Sequence, residues 1–310
     1  MMSLPPSALQ IFILFLLMAA GFAAGKMRIL DEETVKKLSR FLVVFIVPCL
    51  IVISMQKPLS PELRDRAFLV LGLSFATYAI AFPLAFLLSK LMRLKGSQAG
   101  VHSFAAVFSN VAFMGFPVLQ GLFGKDILFE ASIATMPFQI LAFSIGAAML
   151  ASGTGRKAEL GLAAFIKPAG VAAVVGLGLF LLNIALPPAL YQAMNLLGDT
   201  TTPLSMCVIG AILSESDIRG ALGDWRIWVT ALWRLLALPL VIWLALRALG
   251  VEGRTLGLLV VMTAMPVAAN ATMLSAAYGG DHRRASSLIF VSTALSLVTI
   301  PLLASTLFGI

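Results

Sequence analysis

The apolar residues of this chain run in long blocks separated by short polar connections, with little alternation inside a block. A bilayer crossing needs about 20 mostly apolar residues. Ten blocks approach that length: 7–25, 37–55, 67–89, 99–121, 127–150, 163–184, 199–214, 227–248, 255–277 and 285–308. The seventh is short, and an interfacial stretch at 188–198 leads into it. The pattern predicts an all-α polytopic membrane protein with ten transmembrane helices. No connection exceeds about 20 residues, which leaves no soluble domain to hold an enzyme. Whatever the chain does, it does within the membrane.

Two of the blocks carry helix breakers at mid-length. The fourth reads "SNVAFMGFPV" from Ser109 to Val118, and the ninth reads "TAMPVAANATML" from Thr263 to Leu274. Proline removes a backbone donor and clashes with the carbonyl four residues back. In hydrocarbon each unpaired backbone group costs several kcal/mol. A break there survives only where protein or a water-filled cavity lines it.

Ten spans divide into five and five, and an odd number per half turns the second half upside down. The prolines follow that division. Pro48 in "VPCLIVIS" matches Pro203 in "TPLSMCVIG", and Pro83 in "YAIAFPLAF" matches Pro239 in "RLLALPLVI". Within the halves the spacing is nearly the same: Pro48 to Pro83 is 35 residues and Pro203 to Pro239 is 36. Pro6 and Pro168 each open the first span of a half, where a missing N–H costs little. The expected halves are residues 1–155 and 156–310, two inverted five-helix repeats. Broken helices in corresponding positions of such halves point to a transporter binding site.

Composition agrees. The chain is 60% hydrophobic and 12% charged, and its mean hydropathy is +1.01. Soluble domains average about 45–50% apolar and about 25% charged. The net charge of +8 is spread over short loops and forms no patch for nucleic acid. Lys and Arg divide 15 to 6 between alternate connections. The positive-inside rule then places the odd-to-even loops in the cytoplasm and both termini outside, in a bacterial inner membrane. No basic region precedes the first block, so 7–25 reads as a retained span. Cys49 and Cys207 lie inside apolar blocks and suggest neither a disulfide nor a metal site. No nucleophile–base pair, metal cluster or phosphate loop stands out, so neither an enzyme nor a cofactor is expected.

The candidate chemistry gathers at the two breaks. A half-helix N-terminus in mid-membrane favours an anion. Asn110 and Asn270 add amides, and Ser109, Pro117 and Pro266 in the broken segments join them as candidate substrate-binding residues. Arg234 is a cation inside the eighth span, and Tyr78 is its counterpart in the first half. It reads either as snorkelling or pairing with span-end carbonyls, or as charge support beside the breaks. Asp199 reads as an N-cap or as a coupling carboxylate. Gln139 is core glue or a substrate contact, while Ser54, Thr202 and Ser205 lie near the second- and seventh-span prolines, where they would face the cavity, Ser54 and Ser205 as further substrate-binding candidates. Glu130 reads as a solvated or interfacial acid, and His102 and His282 as interface residues.

At these residues the sequence resembles the auxin efflux carrier family, which includes bacterial carriers and the plant PIN proteins. The similar pieces are "SNVAFMGFPVLQGLFG" (109–124), "MPVAANATMLSAAYGGD" (265–281), "TTPLSMCVIGAIL" (201–213) and "WRLLALPL" (233–240). The plant proteins carry Pro where this chain has Ser109 and Asn where it has Ala105. The resemblance implies a fold like that of bile-acid and sodium/proton antiporters, with helices 4 and 9 unwound and crossed. Spans 1, 2, 6 and 7 would form a scaffold domain, and spans 3–5 and 8–10 a transporter domain. It also implies a secondary carrier for a small organic anion, a carboxylate such as malate or malonate, working by elevator-type alternating access. A proton- or sodium-coupled symporter of bile-acid type and a gated anion channel stand as alternatives. Proton or sodium coupling and a homodimer through the scaffold stay open.

Overall fold

The computed structural model describes residues 6–155, 167–215 and 223–308. Among them the regular structure is helical, apart from one isolated antiparallel bridge between Ser109 and Val267. In chain order the helices are α1 (Pro6–Lys26), α2 (Glu32–Phe41), α3 (Val47–Ser54), α4 (Pro61–Leu91), α5 (Gly96–Val107) and α6 (Phe116–Phe123). Then come α7 (Ile127–Ala134), α8 (Met136–Leu141), α9 (Ala147–Ala151), α10 (Pro168–Leu181), α11 (Pro188–Asp199) and α12 (Thr201–Glu215). The last are α13 (Trp225–Leu232), α14 (Leu238–Ala248), α15 (Gly253–Thr263), α16 (Ala271–Ala277) and α17 (His282–Phe308).

Several of these join end to end. Six continuous runs are long and apolar enough to cross a membrane: Glu32–Ser54, Pro61–Leu91, Ile127–Ala151, Pro188–Ser214, Trp225–Ala248 and His282–Leu307. The other apolar stretches are shorter: Phe12–Lys26, Val111–Phe123, Pro168–Leu181 and Gly253–Thr263. Large apolar side chains such as Phe86, Leu182 and Val298 lie exposed along these helices. Bilayer hydrocarbon, not water, is the solvent that suits them. The chain is an all-helical, multi-pass membrane protein. All of the connection Arg156–Lys167 but Lys167 itself, the first half of Arg219–Arg226 and the start of the sixth expected span lie outside the described residues.

Local sequence accounts for the helix ends. Asp31 caps α2 by accepting from the Thr34 N–H at 2.8 Å, and Ser60 caps α4 by accepting from Leu63 N–H at 3.2 Å. Each satisfies one of the orphan donors of a first turn. Widened π turns interrupt the runs at Leu42–Ile46, Val111–Gly115 and Trp233–Ala237. Each of these three ends two residues before a proline (Pro48, Pro117, Pro239), whose ring crowds the preceding turn; a fourth, Ala142–Gly146, has no proline after it. Pro83 behaves differently and lies inside the unbroken α4. The prolines that pair by spacing therefore differ in local geometry.

Glycines bring the helices together. α1 lies along α12 with Gly21 and Gly210 at the seam. A Cβ on Gly21 would collide with the Cys207 carbonyl, and one on Gly210 with the Met18 carbonyl. Lys26 Nζ then donates to the Ser214 carbonyl at 2.8 Å, closing one end of the pair. α10 packs on α3 through Gly176, where a Cβ would lie 3.4 Å from Val52 Cα. α11 packs on the same helix through Gly198, with Leu50 Cα at 3.2 Å. Small residues allow such close approach where lipid offers no hydrophobic drive between helices.

Ion pairs fasten the helix ends. Glu130 on α7 is buried and meets Arg66 of α4 at 3.3 Å and Arg254 of α15 at 3.2 Å. It is thus a buried tie between three helices, and the reading as a solvated acid is corrected. Arg284 on α17 binds Asp281 at 3.2 Å and also Asp224, the cap of α13. Burial pushes the Asp224 carboxyl upward, but the Arg226 N–H and the Arg284 guanidinium outweigh it and hold the group below the usual carboxylate range. His102 is buried on α5, with Nδ1 2.7 Å from Thr230 Oγ1 of α13. It packs between α5 and α13.

The glycine seam is testable. Gly21→Ala should destabilise the purified protein by about 1–3 kcal/mol through overpacking. Gly72→Ala, at a helical site with nothing within 4 Å of the added Cβ, should be neutral or stabilising by up to about 1 kcal/mol. Thermal unfolding in detergent compares the two.

Candidate functional site

The two breaks meet. α5 stops at Val107, and Phe108 is extended (φ −99°, ψ 116°). α15 stops at Thr263, and the chain stays non-helical until Ala271. Asn110 N–H donates to the Pro266 carbonyl at 2.8 Å, and Ala268 N–H donates to the Phe108 carbonyl at 3.0 Å. Val267 N–H donates to Ser292 Oγ of α17 at 3.0 Å. The sequence favours these breaks. Ser and Asn side chains compete with the helix for backbone hydrogen bonds, and Pro266 disfavours a helical Met265 before it. Much of the freed backbone is satisfied by pairing one break against the other.

The carbonyls at the ends of α5 and α15 are satisfied by Arg234. Its side chain is 1% exposed and springs from the widened turn before Pro239. Nη1 donates to Ala106 O at 3.2 Å and Val107 O at 2.8 Å. Nη2 donates to Thr263 O at 2.6 Å, and Nε to Met265 O at 3.2 Å. One guanidinium therefore caps the C-terminal ends of two half-helices. The negative end of each helix dipole faces a fixed positive charge. Of the two sequence readings, pairing with span-end carbonyls describes the contacts, and these carbonyls lie at the crossing itself.

A small cavity of ≈ 30 Å³ lies beside Arg234, with Ser74, Thr77, Tyr78, Val111 and Thr263 among its lining residues. Tyr78, the spacing counterpart of Arg234, shares this cavity and packs on Phe108 with ring centres 5.8 Å apart. The space suits water-sized solutes and is too small for an organic anion.

Among the expected site residues, the structure brings together Ser109, Asn110 and Pro266, with Asn270 four residues beyond Pro266. Asn110 is 5% exposed and its Oδ1 accepts from the Phe113 N–H at 3.2 Å. Its Nδ2 takes no part in that bond. Asn270 Oδ1 is buried without a hydrogen-bond partner among the described residues. A buried polar atom in that state costs about 1–3 kcal/mol, and such atoms call for an explanation. Pro117 is buried at the start of α6.

The remaining candidates lie on other elements. Gln139 is buried on α8. Ser54 at the end of α3 bonds the Ile51 carbonyl at 2.7 Å and meets Ser132 Oγ at 2.8 Å. Ser205 donates to the Thr202 carbonyl within α12 at 3.2 Å. Asp199 is the last residue of α11, half exposed, and pairs with Lys125 at 2.6 Å and Asn195 at 3.1 Å. Its oxygens face an ammonium and an amide, which corrects the N-cap reading. Ser292 went unrecognised in the sequence. A serine in mid-span hints at helix contact, but nothing local ties it to Val267, 25 residues away.

A multi-pass helical protein with two broken helices bonded to each other at a buried polar centre has the form of a membrane transporter. The chain belongs to the membrane transport protein family, that of the auxin efflux carriers, whose profile matches residues 6–161 and 156–304. It is 25% identical over 300 residues to an "Uncharacterized transporter" of Methanocaldococcus jannaschii, covering 94% of this chain and 96% of the relative. Another "Uncharacterized transporter", of Methanothermobacter thermautotrophicus, is 26% identical over 96% of each chain. A Rhizobium meliloti protein named "Putative malonate transporter" is 22% identical, covering 92% of this chain and 91% of the relative. The protein is a transporter and not an enzyme.

Arg234→Ala should leave several buried carbonyls unpaired and destabilise the protein by about 3–5 kcal/mol. Arg234→Lys, which has one nitrogen in place of a fork, should lie between. Thermal unfolding of detergent-purified protein gives the ranking, and an unchanged melt for Arg234→Ala contradicts it.

Proposed function

We propose that this protein is a secondary carrier for a small organic anion, a carboxylate, held at the crossing of the two broken helices. The observation that carries the reading is Asn270 Oδ1, buried and unpartnered beside the bonded breaks; as an acceptor it takes the proton of a singly protonated dicarboxylate, while the ionised carboxyl meets the donors of the opposite break. An amide left unsatisfied at a helix crossing is a group kept for a solute. Asn110 contributes its Nδ2, the donor end of the amide whose Oδ1 accepts from the Phe113 N–H, from the opposite break. The helical stretch Val111–Phe123 begins at Asn110, and its positive dipole end favours an anion. The fixed charge of Arg234 is spent on carbonyls, so the grip on the cargo is dipolar and reversible, as a carrier requires. The name of the Rhizobium meliloti relative, "Putative malonate transporter", supports a small carboxylate as cargo.

The architecture in this reading is ten crossings in two inverted repeats, residues 1–155 and 156–310. Two contacts support it. α1 on α12 joins spans 1 and 7, and α10 on α3 joins spans 6 and 2; an inverted repeat exchanges these pairs. The antiparallel bridge between Ser109 and Val267 likewise has the direction a two-fold axis demands. Spans 1, 2, 6 and 7 act as scaffold. Spans 3–5 and 8–10 carry the site past it in an elevator-type motion, with both termini outside the cell membrane.

Uptake of radiolabelled malonate into proteoliposomes tests the reading. Asn110→Ala and Asn270→Ala should each lower uptake at least about tenfold, the scale of a lost polar contact of 1–3 kcal/mol. Wild-type rates in both variants would sink it.

A further inference from the structure

A second cavity, of ≈ 290 Å³, lies apart from the crossing. It runs along one face of α6, where Pro117, Gln120, Gly121 and Gly124 follow at helical spacing. Gln10 and Leu14 of α1 form the opposite wall, with Thr202 of α12 and Lys125 completing it. Gly121 keeps the groove open, since a Cβ there would lie 3.4 Å from Gln10 Cβ. Pro117 to Phe123, the end of α6, spans about 9 Å of helical rise. Pro117 stands two residues after the widened turn that Asn110 caps. The groove thus leads from a cation at the protein surface toward the crossing.

Lys125 is the charge at the mouth. Its ammonium binds Asp199 Oδ1 at 2.6 Å and Asn195 Oδ1 at 3.3 Å, both from α11. Its side chain is 52% exposed and that of Asp199 46%. A half-exposed pair of this kind is held weakly, so another carboxylate can replace Asp199 at little cost. Gln10 and Gln120 supply amides along the way, and the volume is enough for a small dicarboxylate. We propose that this groove is a capture site for small carboxylates on their way to the crossing, with Lys125 as the receiving cation and Asp199 as a built-in competitor for it. The inference rests on the carboxylate-carrier reading above. A soluble carboxylate and an anionic lipid headgroup share this chemistry; the groove's polar wall and its line toward the crossing favour the soluble anion.

The test is initial uptake of malonate into phosphatidylcholine vesicles over a range of salt. Lys125→Gln should raise KM about threefold to fivefold with Vmax kept and should flatten the salt dependence. Asp199→Asn should lower KM by a similar factor, and Gly121→Leu should cut uptake by filling the groove. Both charge variants alter exposed side chains, so they stay informative even if Gly121→Leu does not fold. Unchanged KM in Lys125→Gln and Asp199→Asn, alongside uptake that Asn270→Ala abolishes, would overturn the capture site and leave the carrier reading intact. Absence of malonate uptake by the wild type overturns the carrier reading and the capture site with it. An effect of Lys125→Gln that appears only after phosphatidylglycerol is added assigns the groove to a lipid headgroup and also overturns the inference.

Discussion

A backbone group without a partner costs several kcal/mol inside hydrocarbon, and this fold interrupts two helices there. The interruption holds because Arg234 gathers the carbonyl ends of both half-helices onto one guanidinium. The breaks themselves exchange Asn110 N–H for Pro266 O and Ala268 N–H for Phe108 O. Arginine suits the role because its planar fork donates in several directions at once. Burying the positive charge is costly, and the negative ends of the two helix dipoles that it faces offset part of that cost.

With that centre secured, the rest of the architecture divides the work. Glycine seams hold α1 to α12 and α10 to α3 with little space between the backbones. Ion pairs lie at the helix ends, where Glu130 ties α4, α7 and α15, and Arg284 ties α13 to α17. The polar groups left over at the crossing are side-chain amides. In the proposed carrier these amides form a weak and neutral grip, suited to a cargo that must be released as readily as it is bound.

The breaks were legible in the sequence because their signals are local. Asn, Gly and Pro within an apolar block announce a broken helix, and the helices begin and end close to the expected blocks. What the breaks do for one another was less legible. Arg234 could be seen as an intramembrane cation, but its carbonyl partners lie 29 to 128 residues away. Asp199 stands before a helix and looks like a cap, yet Lys125, 74 residues back in the chain, reaches it first. Glu130 shows the same limit, because its two arginines come from different helices. Periodicity reports how a residue meets its own helix and is silent about which distant helix faces it.

The central claim is that the crossing is a solute site opened alternately to the two sides. A single cysteine at Ala269, beside Asn270, replaces native Cys49 and Cys207 as the target for a membrane-impermeant thiol reagent in sealed vesicles. The account predicts labelling from either side, with malonate shifting the ratio between them. Labelling from one side alone, unchanged by malonate, would contradict it.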